Sequence, residues 1–152
     1  MRKQFVKTIT ELATKDKNIV LIIADVDWGF DEFRKLFPER FLNLGLTEQS
    51  IVAISGGMAS QGLMPVVVSI TPFLLERVFE FIKLNIDATN LPVMLVGYDD
   101  YSDITHVCLD KKKMVSMFHN VRAYSPETLE EVETDVNKAL NFPSFIFLKK
   151  CT

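Results

Sequence analysis

Histidine and cysteine are scarce in this chain. His106, His119, Cys108 and Cys151 are all it has. Two cysteines are too few for a disulfide scaffold, which leaves reduced thiols and an expected cytoplasmic setting. The two histidines and two cysteines show no metal-ligand spacing, so no metal site is expected. Long apolar runs are missing too. Runs such as residues 19–24 and 63–68 are among the longest, far short of the roughly 20 residues that span a bilayer. The opening Met1-Arg-Lys-Gln-Phe-Val-Lys lacks the apolar core of a signal peptide. A net charge of −3 gives no reason to expect nucleic acid or an anionic membrane surface as partner. There is no internal repeat, linker or low-complexity segment.

What is present suits one globular domain of 152 residues with 48% hydrophobic and 24% charged residues. Residues 3–14 carry Phe5, Ile9, Leu12 and Ala13 near helical spacing. Residues 18–26 are dominated by Ile-Val-Leu-Ile-Ile-Ala, a run that fits a strand buried on both faces. Residues 31–37 read as a short helix stopped by Pro38. Strands are expected at 66–70, 92–97, 121–124 and 144–148, a long helix at 74–89, and weak helix at 110–118. A further helix is expected after 125, capped by Ser125 and opened by Pro126, with Leu129, Val132, Val136 and Leu140 on its inner face. Strand and helix alternate throughout. That pattern predicts a three-layer α/β/α domain with a mainly parallel sheet of about six strands, whose ligands bind at the strands' carboxyl ends.

The remaining stretch, residues 40–65, organises the chain. Leu42, Leu44 and Leu46 recur at every second residue, as on a short strand. Gly45 permits a turn, and Thr47 is a good N-cap with Glu48 at the first helical position. Leu46 and Ile51 would flank the cap as a hydrophobic staple. Glu48 is then expected at an exposed tip, near the positive end of the helix dipole. The helix that follows is small-sided: Ala53, Ser55, Gly56, Gly57, Ala59 and Ser60. Two interior glycines imply close backbone packing against something.

The ordered run Pro38-Glu-Arg-Phe-Leu-Asn-Leu-Gly-Leu-Thr-Glu48-Gln49, continuing through a small-residue helix to Gly62 and Pro65, resembles the pyrimidine-binding domain of transketolase and its relatives, including deoxyxylulose-phosphate synthase. The resemblance covers the whole chain, 1–152, as one such domain. It implies that Glu48 hydrogen-bonds the aminopyrimidine ring of thiamine diphosphate and promotes the tautomer that activates the cofactor. It implies that Phe73, in Ser69-Ile-Thr-Pro-Phe73, lies on that ring, with Arg77 beside it and Asp25 near the cofactor at the end of the first strand. Ile70 replaces the family's first phenylalanine there. The Thr105-His106 pair corresponds to a pair that faces the substrate's oxygens, which makes His106 a catalytic candidate. Arg2 and Lys150 fall where family arginines contact substrate phosphate.

Two departures matter. The family's glycine-rich loop before the histidine is replaced by Tyr98-Asp-Asp-Tyr-Ser-Asp103. The Gly-Asp-Gly that holds Mg²⁺ and the diphosphate in the family is absent from these residues. The resemblance therefore implies a subunit of a split thiamine-diphosphate enzyme, a homo- or hetero-oligomer completed by a diphosphate-binding chain. Its reaction would be two-carbon ketol transfer on a sugar phosphate or ketose. The alternatives are a split 2-oxo-acid decarboxylase and a non-catalytic binding module of the same fold.

Overall fold

A computed structural model describes residues 1–27, 29–99 and 101–149. Helix α1 (Arg2–Lys15) leads into β1 (Ile19–Ile23), α2 (Asp31–Leu36) and a 3-10 turn (Pro38–Arg40). Then come β2 (Phe41–Asn43), α3 (Glu48–Ser60) and β3 (Met64–Ile70). Two short helices, α4 (Thr71–Leu75) and α5 (Phe79–Ile82), and a π-helical turn (Lys83–Asp87) precede β4 (Met94–Tyr98). The chain continues as α6 (Lys111–Ser116), β5 (Arg122–Tyr124), α7 (Leu129–Ala139) and β6 (Ser144–Leu148).

The six strands form one sheet in the order β2-β1-β3-β4-β6-β5, every pairing parallel. The continuous apolar runs conceal a strict alternation. Ile19, Leu21, Ile23, Val66, Val68, Met94 and Val96 pack under α1, α2 and α7. Val20, Ile22, Val67, Leu95, Phe145 and Phe147 pack under α3, α4, α5 and α6. With helices on both faces, a strand has no polar side to show, which is why the sequence reads as unbroken hydrophobe. The expected three-layer architecture is therefore present.

Several local expectations differ. The helix expected over 74–89 is broken into α4, α5 and the π turn. Proline opens α4, and Val78 leaves helical geometry at φ −118° and ψ 16°. The π turn has a packing consequence. A Cβ added to Gly56 would lie 2.6 Å from the Asn85 carbonyl oxygen. The close approach promised by the small-residue helix is thus made within the chain, between α3 and its own π turn. A buried carboxylate then ties that turn down: Asp87 accepts from the backbone N–H of His119, Asn120 and Val121 at 2.6–3.2 Å. No sequence pattern marked it. The cap of α7 is Thr128, whose hydroxyl accepts from the Glu131 N–H at 3.1 Å. Pro126 lies ahead of the helix, and Ser125 is not its cap.

Arg40, inside the motif that suggested the family, is structural. Its guanidinium donates to the carbonyls of Ala13 and Asp16 at 3.1 Å and stacks 4.1 Å over Phe37. It thereby caps the end of α1 and pins the chain entering β2. Cations at helix C-termini are favourable on both dipole and hydrogen-bond grounds.

The two glycines of α3 give opposite predictions. Gly56→Ala forces a methyl against the Asn85 carbonyl and destabilises the chain by about 1–3 kcal/mol. Gly57 has nothing within 4 Å of an added Cβ, so Gly57→Ala stabilises by about 0.4–1 kcal/mol. Urea unfolding of the isolated variants checks both; a neutral Gly56→Ala would contradict the packing described.

Candidate active site

Between β1 and β3 the chain's direction across the sheet reverses: β1 connects to β2 on one side, β3 to β4 on the other. Sheets of this kind bind ligands in the crevice at that switch point, outside the strands' carboxyl ends. A cavity of about 360 Å³ lies there, lined by Ala24, Asp25, Val26, Leu46, Ser69, Ile70, Phe73, Arg77 and His106. Four strand ends build it: 24–26 follow β1, Leu46 follows β2, Ser69 and Ile70 end β3, and His106 lies in the segment after β4.

Phe73 is placed by the start of α4. The Thr71 hydroxyl donates to the Tyr98 carbonyl at 3.1 Å. This contact needs Gly97, where an added Cβ would meet the Thr71 oxygen at 2.6 Å and the Phe145 ring at 2.8 Å. Arg77, freed by the end of α4, lays its guanidinium 4.2 Å over the Phe73 ring. It also donates to Glu48 Oε2 at 3.1 Å.

Glu48 is 1% exposed, not at an exposed tip. It does not itself line the cavity; its partner Arg77 and its near neighbour Leu46 do. The local capping also departs from expectation. Thr47 occupies the N-cap position, but its hydroxyl donates to the Leu44 carbonyl at 2.8 Å and makes no cap bond. Leu46 is 70% exposed, so no staple forms with Ile51, and Leu46 forms cavity wall instead. Glu48 is the first residue of α3 and is buried, where a charge must be paired.

The remaining candidates divide. Asp25 lines the cavity with a left-handed backbone, φ 59°, a conformation aspartate tolerates better than most residues. His106 lies in the wall, 5.2 Å from Phe73 and 5.3 Å from Tyr101 by ring centroids. Arg2 is set apart: it is 6% exposed, stacks 3.9 Å over the Tyr98 ring and does not line the cavity. Lys150 lies outside the described residues. Among the described residues no group of three His, Cys, Asp or Glu side chains could hold a metal.

Two buried polar atoms decide what the cavity fits. Glu48 Oε1 and Ser69 Oγ have no hydrogen-bond partner among the described residues, and an unpaired buried polar group costs about 1–3 kcal/mol. Ser69 Oγ, in the cavity wall, can accept from an exocyclic amine; Glu48 Oε1, behind that wall, can pair with a ring nitrogen by sharing one proton; and Phe73 supplies an aromatic surface. The residues present therefore fit an aminopyrimidine. Ser69 was missed in the sequence because a serine ending a buried strand carries no signal of its own.

A parallel α/β domain with a heterocycle-sized cavity at its switch point defines the class. The family model for the transketolase pyrimidine binding domain matches residues 1–151, and the chain belongs to that family. It is 32% identical over 148 residues to the 1-deoxy-D-xylulose-5-phosphate synthase of Clostridium beijerinckii, covering 91% of this chain and 23% of that protein. It is 29% identical over 122 residues to one subunit of the apulose-4-phosphate transketolase of Actinobacillus succinogenes, covering 77% of this chain and 39% of that one. Among solved structures it resembles a split gene transketolase in an inactive beta4 tetramer, with a TM-score of 0.89 and 26% identity over 97% of this chain and 50% of that one. The chain thus spans well under half the length of these curated relatives.

Cys108, two residues beyond His106, is disfavoured as a nucleophile. It is 8% exposed, and burial, then the Glu76 carboxylate, push its thiol up to about 12. Since the thiolate is the reactive form, Cys108 should resist iodoacetamide near pH 8 in the native chain and react once urea unfolds it. Mass-spectrometric mapping reads this; fast native labelling would show that the segment after β4 does not hold the thiol closed.

Proposed function

We propose that this chain is the pyrimidine-binding subunit of a split, thiamine-diphosphate-dependent transketolase, catalysing two-carbon ketol transfer with a ketose or sugar phosphate. The diphosphate and Mg²⁺ would be held by a separate partner chain. The observation that carries the reading is Glu48: a buried carboxylate behind an aromatic-walled cavity, with one oxygen on Arg77 and the other without a partner among the described residues. The relatives described as a transketolase subunit and as a split-gene transketolase support a two-chain arrangement.

When bound, the cofactor supplies a thiazolium carbon that, once deprotonated, adds to a carbonyl. The chain's own residues do the rest. Oε1 of Glu48 is the oxygen available to a ring nitrogen, and there it holds or yields a proton. Arg77, fixed to Oε2, sets the orientation of the carboxylate, and Ser69 Oγ accepts from an amine. Phe73 and Ile70 exclude water from one side of the ring. His106, in the same cavity wall, would meet substrate oxygens. The Thr105-His106 pair favours ketol transfer over 2-oxo-acid decarboxylation.

Glu48→Gln tests this. With the diphosphate partner co-expressed, turnover should fall about 10²–10⁴-fold, the usual contribution of a positioned proton donor or acceptor. Folding should change by no more than about 1 kcal/mol, because an amide oxygen still accepts from Arg77. Steady-state turnover, read beside each variant's melting temperature, decides between roles. Near-normal turnover would refute proton handling at Glu48; a collapsed fold would make Glu48 structural.

A further inference from the structure

The segment that departs most from the family pattern contains a hydrogen-bond chain with one consistent proton assignment. Asp103 Oδ1 accepts from the Thr105 N–H and lies 2.8 Å from Thr105 Oγ1. Thr105 Oγ1 in turn lies 2.7 Å from His106 Nδ1. The two bonds at the Thr105 N–H and hydroxyl hold the Asp103 carboxyl below the usual carboxylate range, so it is ionised and can only accept. The single hydroxyl proton of Thr105 must then point at Asp103. The short contact on the other side of that oxygen needs a proton as well, and His106 Nδ1 is its only source. Among the described residues no hydrogen bond reaches Nε2 of His106, and the ring lies in the cavity wall beside Phe73 and Tyr101.

We infer that Asp103 and Thr105 are positioning residues that hold the neutral His106 ring as its Nδ1–H tautomer, leaving Nε2 as a bare hydrogen-bond acceptor for a hydroxyl-bearing ligand. The second partner of a ring nitrogen fixes what the first can do. A bare Nε2 accepts from a hydroxyl and has no proton to offer a carboxylate. On the ketol-transfer reading, from which the ligand takes its meaning, this selects hydroxyketones over 2-oxo acids. The tautomer itself follows from the loop alone.

Long-range ¹H–¹⁵N spectra of the two histidines test this at about pH 9, where imidazole is neutral, with His119→Gln assigning the signals. His106 Nε2 should resonate as the unprotonated nitrogen. Thr105→Val should return the ring to the Nε2–H form, and Thr105→Ser should retain the wild-type pattern. A wild-type ring protonated mainly at Nε2, or a pattern indifferent to Thr105→Val, overturns the assignment. Dihydroxyacetone should then shift the Nε2 signal more than pyruvate at equal concentration; any other ranking overturns the ligand class. These readouts need no partner chain, so their failure is distinct from a failure at Glu48.

Discussion

Glu48 is almost fully withdrawn from water, and a carboxylate there is tolerable only if a cation reaches it. Arg77 does so at 3.1 Å, and that one contact sets much else. It requires α4 to end early, so that residue 77 turns toward α3 and not along a continuous helix. It draws the guanidinium across Phe73 and gives the cavity both its aromatic wall and its fixed charge. It also leaves one carboxylate oxygen with no partner among the described residues, which is where a ligand has most to gain. Removing one partner of a buried pair typically costs about 3–5 kcal/mol; with Arg77 42% exposed, solvent takes up part of that cost.

The architecture was legible because parallel sheets with two covered faces write themselves as unbroken apolar runs separated by helical periodicity. The motif around Glu48 was legible because its order is long and specific. Its meaning residue by residue was less so. Arg40, part of that motif, is a helix clamp. Leu46 reads like a staple and is cavity wall. Arg2 reads like a solvated phosphate ligand and is buried against Tyr98.

What the sequence hid has a common cause. The break at Val78, the π turn against Gly56, the carboxylate of Asp87 under three backbone N–H groups and the orphaned hydroxyl of Ser69 all depend on contacts between segments far apart in the chain. Periodicity over 74–89 is helical on average, and nothing local announces where packing interrupts it. The segment after β4 is the opposite case. Its departure from the family pattern is plain in the sequence, yet its chemistry appears only when Asp103, Thr105 and His106 are placed together.

On the function proposed, the cavity at the β1–β3 switch point, with Glu48 behind it, should hold an aminopyrimidine. Titrating the isolated chain with the free aminopyrimidine alcohol that corresponds to that half of thiamine, followed by amide chemical shifts, tests it most directly. Saturable shifts should cluster at residues 24–26, 46–48 and 69–77, and Glu48→Gln should weaken them. Shifts centred elsewhere, or a titration unchanged by Glu48→Gln, would contradict the account.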